Sequence, residues 1–183
     1  MGARLGLAFP SGRTAKGASH SYGAMVPVAI PLQFDVGVRL PAGLGLGGYL
    51  QLAPAAPDCN PGVTCSALLF RIGAQADLRF NQRGRAMPWV GVMLGWEFFD
   101  FIQKTGGTEV DQAMSGLEWG VQGGLDLRVG RRWAIGPYGQ LGFGTYTQAS
   151  VSIDGNGTSA TIPTSDRAQH QWFTLGAKAT VTF

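Results

Sequence analysis

The sequence predicts an all-β chain: a transmembrane up-and-down antiparallel β-barrel of eight strands. Three observations carry this reading. Large apolar residues alternate with small or polar ones over most of the chain, long and short connections take turns, and charge is scarce. Alternation with a side-chain period of two is a strand signal and has no helical reading. Charged residues make up 14% of the 183 residues, against roughly 25% in soluble domains, so there is little charge to solvate the outside of a sheet. No segment approaches the roughly 18 to 20 uninterrupted apolar residues of a membrane helix, because Gly, Gln, Asp or Arg breaks every run. No shift in composition divides the chain, and residues 1–183 are read as one domain.

The strands follow in order. The first is read at 3–9, ARLGLAF. The second, VPVAIPLQFDVGVRL at 26–40, has a large apolar residue at every even position from Val26 to Leu40. Pro27 and Pro31 cannot donate to a ladder, so a bulge or loosened pairing is expected in its first half. Six more alternating stretches lie at 44–52, 66–80, 89–101, 117–129, 133–147 and 171–183. Connections 41–43, 81–88 and 130–132 are short, whereas 10–25, 53–65, 102–116 and roughly 148–170 are long and rich in Gly, Ser, Thr, Asp and Pro. In a meander this strict turn-taking places every short turn at one end and every long loop at the other. At about 3.3 Å per residue and a tilt of roughly 40°, the longer strands cross a bilayer core.

Which face meets water is decided by the polar phase. It holds Arg4, Asp35, Arg39, Arg71, Asp77, Arg79, Glu97, Glu118, Asp126, Arg128 and Lys178, together with many glycines. A solvated face would favour Thr, Lys and Glu over Gly, which weakens a strand and gives it nothing to pack. A crowded lumen instead needs small residues beside large ones. Six positive and five negative charges nearly cancel, which suits an enclosed network, since a buried charge stripped of its partner costs about 3–5 kcal/mol. The apolar phase gathers aromatics at the strand ends. Phe9, Phe70, Trp96, Phe98, Trp119, Phe143 and Phe173 lie toward the long loops, and Phe80, Trp133 and Phe183 toward the short turns. Two aromatic belts around an aliphatic band match the two interfaces of a bilayer. The oily face is therefore read as outward and the polar face as the lumen.

The only cysteines, Cys59 and Cys65, flank a turn rich in Pro, Asn and Gly. A loop disulfide in an oxidising compartment is the simplest reading, with two free thiols or a zinc site as the alternatives. A net charge of +3 without any Lys/Arg cluster argues against nucleic acid as a partner. The start lacks a signal-peptide pattern, so either the chain is cytoplasmic or its leader has been removed.

On this pattern the chain resembles the small eight-stranded outer-membrane barrels of Gram-negative bacteria, of the OmpA transmembrane-domain and OmpX type. The resemblance lies in architecture over the whole chain. Its most specific element is the ending LGAKATVTF, with Phe183 preceded by Val181, Ala179, Ala177 and Leu175 at alternate positions. This looks like the C-terminal signal read by the outer-membrane assembly machinery, with Phe183 and Val181 as its anchors. The resemblance implies an outer-membrane location with the signal peptide removed, outer-membrane lipid and the assembly machinery as partners, and a monomer.

Residues that could carry chemistry are few. A lipid A deacylase resemblance would need His-x-Ser-Asn, and HQWF at 170–173 lacks the serine; a palmitoyltransferase resemblance would need a helix ahead of the first strand. His20 and His170 are read as polar loop or rim residues, and Ser19 or Ser21 beside His20 is weak evidence for a nucleophile. GLGLGG at 43–48 opens a strand, not a helix, so it offers no phosphate site and is assigned to lumen packing. Glu97 and Glu118 are expected to anchor an interior Arg71, and Arg83, Arg85, Arg131 and Arg132 to be solvated. No catalytic residue, cofactor or metal is expected. The function expected is structural, anchoring or loop-mediated interaction; the rivals are a narrow channel or small-ligand conduit, a lipid-modifying enzyme and a soluble lipocalin-like binder.

Overall fold

The alternating stretches pair into one antiparallel sheet in the computed structural model, which describes residues 1–16, 21–57, 59, 61–82 and 84–183. Its elements are β1 (Gly2–Gly12), α1 (Tyr22–Met25), β2 (Val28–Ala29), β3 (Leu32–Arg39), β4 (Leu44–Ala56), β5 (Thr64–Arg79), β6 (Ala86–Thr105), β7 (Thr108–Arg128), β8 (Trp133–Ile153), β9 (Asn156–Thr161) and β10 (Gln169–Val181). Neighbours in sequence pair around the sheet, and β10 bonds both β8 and β1, so the sheet closes on itself. With β2 and β3 sharing one place in the ring, eight strand positions make the barrel. Eight strands leave an interior only wide enough for side chains to fill. Among the described residues no helix is long and apolar enough to cross a membrane.

The faces divide as the period of two requires. Leu5, Leu7, Phe34, Val36, Ile72, Val90, Val92, Leu94, Val121 and Leu175 all point out and are exposed, while Arg4, Gln51, Arg71, Glu97, Glu118 and Asp126 point in and are buried. The register sets the aromatics level. Phe9 pairs with Phe173, Phe70 with Phe98 and Trp119 with Phe143 across neighbouring strands. The last two pairs bring their rings to 5.7 and 4.6 Å, which leaves Phe70 and Phe143 half-buried. Trp96 also faces out at this end, and Phe80, Trp133 and Phe183 are exposed at the other.

Several sequence expectations need correction. The second strand does not run unbroken from 26. The ladder lapses between Ala29 and Leu32, at Pro31, and the chain before it turns inward as α1. Val26 is therefore fully buried instead of lying on the oily face. Residues 102–116 are not a loop but the crest of a hairpin, β6 running to Thr105 and β7 starting at Thr108. The turn is Gly106-Gly107, both at positive φ (58° and 93°), the backbone that two-residue hairpin turns require. Residues 148–153 likewise extend β8, which returns as β9 through Asp154-Gly155 at φ 49° and 83°. The β6–β9 sheet thus continues beyond the upper aromatic belt, and among the described residues β9 bonds β8 alone. His20, Ser19 and Arg83 lie outside the described residues.

Candidate functional site

The lumen is filled in three layers. At the long-loop end α1 folds into the mouth, its start capped by Ser21, whose hydroxyl accepts from the Ala24 amide at 3.3 Å. This seats Tyr22, fully buried, edge-on to Phe99, Trp172 and His170 with ring centroids 5.0, 5.1 and 5.3 Å away. Ala8, Val26, Ala29, Leu69 and Phe101 complete an apolar cluster. The upper lumen is thus a small hydrophobic core, where the sequence pattern implies a polar interior throughout.

Below it lies a charged layer centred on Arg71. Nε and Nη2 donate to Glu97 Oε2 at 2.9 and 2.8 Å, Nη1 donates to Gln51 Oε1 at 2.8 Å, and Nε also lies 2.9 Å from Glu118 Oε2. The guanidinium sits 4.8 Å from the Trp172 ring centroid. Glu97 Oε1 accepts from the Tyr146 hydroxyl and lies 2.9 Å from His170 Nε2, and Tyr22 in turn donates to Tyr146 at 2.9 Å. A buried ion pair persists only if its remaining lone pairs and protons are also satisfied, and Glu97 meets that condition with four contacts. The close fit depends on two glycines of β8. A Cβ at Gly142 would lie 2.5 Å from Glu118 Oε1, and one at Gly144 would press still closer on His170 Nε2.

The third layer belongs to Arg4. Nε donates to Asp35 Oδ2 at 2.6 Å, Nη1 to Gln122, and Nη2 to Gln75 Oε1 at 2.9 Å. Asp35 Oδ1 also accepts from Gln33 and Gln75, at 2.8 and 2.9 Å. Gln51 donates to Gln33 at 2.8 Å and so joins the layers. One connected column of hydrogen bonds therefore runs Tyr22, Tyr146, Glu97, Arg71, Gln51, Gln33, Asp35, Arg4. Toward the short turns, Arg79 Nη1 lies 2.9 Å from Asp126 and Nε 3.4 Å from Asp77, while Lys178 Nζ sits 3.9 Å over the Trp89 ring.

Nine of the eleven charges assigned to the lumen stand in or beside these layers: Arg4, Asp35, Arg71, Asp77, Arg79, Glu97, Glu118, Asp126 and Lys178. The other two correct the expectation. Arg39 and Arg128 have the inward phase but close their strands, so their long side chains reach solvent at the rim and both residues are exposed. Arg128 donates to the Gln82 carbonyl at 2.7 Å there. His170 is corrected the other way. It is no rim residue but fully buried, because β10 starts at Gln169 and carries it inward. In GLGLGG, Gly48 pairs with Ala74 in the outward phase and takes no part in the lumen. Cys59 and Cys65 form a disulfide. The glutamines of the column carry no charge and went unsignalled, although Gln33, Gln51, Gln75 and Gln122 all hold the inward phase of their strands. Among the described residues no group of three or more His, Cys, Asp and Glu is placed to hold a metal ion.

A closed antiparallel ring, an oily outside and a packed polar inside together decide the architecture. It is the fold of the small outer-membrane β-barrels. Neisserial surface protein A matches with a TM-score of 0.55 at 15% identity, over 100% of this chain and 96% of that one. Ail, the attachment invasion locus protein of Yersinia pestis, matches at 0.52 and 10% identity over 97% and 96%. A major outer membrane protein from Thermus thermophilus matches at 0.52 and 13% identity over 97% and 98%. No family model matches the sequence, and no curated protein does. Outer-membrane barrels of this kind thus share backbone architecture with this chain while differing at most positions of the sequence.

Proposed function

We propose that the chain is a monomeric outer-membrane protein whose barrel is a rigid mount, and whose β6–β9 sheet presents an interaction surface to the outside. The observation that carries this reading is the blocked lumen. Tyr22 and its apolar cluster close the upper mouth, and the Arg71 and Arg4 layers span the interior beneath it. A conduit needs a continuous water path, and removing these pairs to make one would strand charges at about 3–5 kcal/mol each. The same closure argues for a non-enzyme, because Glu97 and His170 are engaged with each other, Arg71 and Tyr146 behind Tyr22. What remains open is the sheet beyond the upper belt, with β9 offering an edge that, among the described residues, is bonded on one side only. An edge of unpaired backbone groups is a ready template for an extended partner segment.

Two measurements test the reading together. Protein refolded into planar bilayers is expected to leave the conductance at that of bare lipid; regular ohmic steps would favour the conduit. On intact cells, external trypsin is expected to cut at Lys104, exposed beside the β6–β7 turn. Protection of Lys104 on cells, with cleavage after lysis, would invert the orientation and remove the proposed surface.

A further inference from the structure

Exposed side-chain charge at the short-turn end is of one sign among the described residues. Arg39 closes β3, Arg85 stands in the β5–β6 turn, and Arg128, Arg131 and Arg132 stand at the β7–β8 turn, every one of them exposed. Segments 36–46, 78–90, 127–136 and 181–183, which build this end, contain no Asp or Glu. The lumen charges just inside do not neutralise the rim, because they offset one another: Arg4, Arg79 and Lys178 against Asp35, Asp77 and Asp126. Among the described residues none of the five rim arginines makes an ion pair. The long-loop end is mixed instead. Exposed Arg13, Lys16 and Lys104 share it with Asp100, Glu109, Asp154 and Asp166, and Lys104 pairs with Glu109 at 2.7 Å.

The rim arginines also sit at the level of the lower aromatic belt. Arg132 precedes Trp133, Arg39 lies between Val38 and Leu40, and Arg128 lies between Leu127 and Val129, all of these apolar neighbours being exposed. A long basic side chain flanked in this way lays its stem along apolar surface and holds its charge at the headgroups. The positive charge is spread over all three short turns. That suits a plane of headgroups meeting the barrel on every side, whereas a protein partner would need the charge gathered on one flank.

We propose that the short-turn rim is a docking surface for anionic phospholipid, whose headgroup phosphates Arg39, Arg85, Arg128, Arg131 and Arg132 draw around the barrel. Clustered basic residues at a bilayer surface attract anionic lipid, and the planar guanidinium fork matches phosphate oxygens two at a time. The proposal rests on the oily face meeting lipid and is independent of the interaction surface at the other end. With the crest directed outward, the lipid drawn in is that of the inner leaflet.

The test is lipid selectivity measured by electron spin resonance. The refolded chain is placed in phosphatidylcholine vesicles containing a trace of spin-labelled phosphatidylglycerol or of phosphatidylcholine labelled at the same acyl position. Phosphatidylglycerol is expected to enter the motionally restricted shell roughly threefold more readily, and molar salt should remove most of that preference. The triple variant Arg85→Gln, Arg131→Gln, Arg132→Gln should bring the two lipids close to parity, with retained heat-modifiable gel mobility showing that it folds. The control, Arg13→Gln with Lys104→Gln at the long-loop end, should keep the preference. Both leaflets carry the label, so the result does not depend on the direction of insertion and is read separately from trypsin cleavage at Lys104. Equal association of the two lipids with the unaltered chain overturns the proposal and leaves the rim to a soluble acidic partner. A preference that survives the triple variant, or is lost in the control, overturns it as well.

Discussion

Replacing Arg71 with Met tests whether the charged layer holds the barrel together. Methionine keeps much of the side-chain volume but leaves Glu97 and Glu118 buried without their shared cation. The change removes three hydrogen bonds, two of them to a carboxylate, plus the contact with Glu118 and the stacking on Trp172. Charged hydrogen bonds are worth about 1.5–3 kcal/mol each, so the summed loss bounds the effect from above. Breaking a buried pair by deleting one partner costs about 3–5 kcal/mol, and a loss of about 4 kcal/mol is expected. With an m-value of about 2 kcal/mol per molar urea, the midpoint of unfolding in lipid vesicles, followed by tryptophan fluorescence, should fall by about 2 M. Adding Glu97→Gln and Glu118→Gln to the same chain should restore about half or more, because the stranded charges disappear. Loss of less than about 1 kcal/mol in Arg71→Met would refute the reasoning. So would a triple variant no more stable than the single one.

Other consequences are as direct. Val92→Arg, in the middle of the outward face, should cost about 2–4 kcal/mol in lipid, where an exposed site on a soluble protein would register within about 0.5 kcal/mol; urea titration in vesicles distinguishes them. Gly144→Ala should drive the His170 ring off Glu97 and cost about 1–3 kcal/mol through overpacking, visible in the same titration and in the His170 ring resonances. Tyr22→Ala should expose α1 to proteolysis without opening a conductance, because the Arg71 and Arg4 layers below remain; ion flow through this variant would place the seal in α1 alone. Reducing the Cys59–Cys65 bond frees a short loop, worth about 2 kcal/mol at most by chain entropy. It should speed thermolysin cleavage near Val63 and lower the urea midpoint of the barrel by no more than about 1 M.

The ring was legible because an oily outside forces a residue such as Val90, Val92 or Leu94 onto every second position. The crest was not. Residues 102–116 and 148–161 alternate too, but Ile102, Val110, Met114, Val151 and Ile153 are scattered among polar and small residues, too few to mark a period. The turn chemistry was there to be used: Gly106-Gly107 and Asp154-Gly155 are two-residue hairpin signals. Val26 misled for the opposite reason. It continues the apolar phase of 28–40, yet Pro27 and Pro31 weaken the ladder and the chain before them folds inward. In the lumen, Arg71 with Glu97 and Glu118 followed from phase and opposite charge. His170 could not be placed without the start of β10, since a single residue of shift would have put it outside. Arg39 and Arg128 show the limit of phase, which gives direction but not depth.

The β1–β10 seam sets the terms on which the barrel forms. Every other neighbouring pair in the ring is joined by a turn or loop that restricts its register, but these strands are joined only through the whole intervening chain. Eleven residue pairs must nonetheless meet in step, from Gly2 with Thr180 to Gly12 with His170. A slip of one residue would turn Arg4 or Lys178 into oil and Leu5 or Leu175 into the lumen. Bringing the two ends together also carries the largest loop-closure entropy of any contact in the molecule. Gly6 and Gly176 face each other at the seam, where a Cβ on either would strike the backbone of the opposite strand. They act as a key: correct closure lets the two backbones come close, whereas a shifted ring sets Gly6 against a residue too bulky for that gap. Contact order therefore predicts that sealing the ring is the slowest and most error-sensitive step of assembly, the step at which holding β1 and β10 in register would speed folding most.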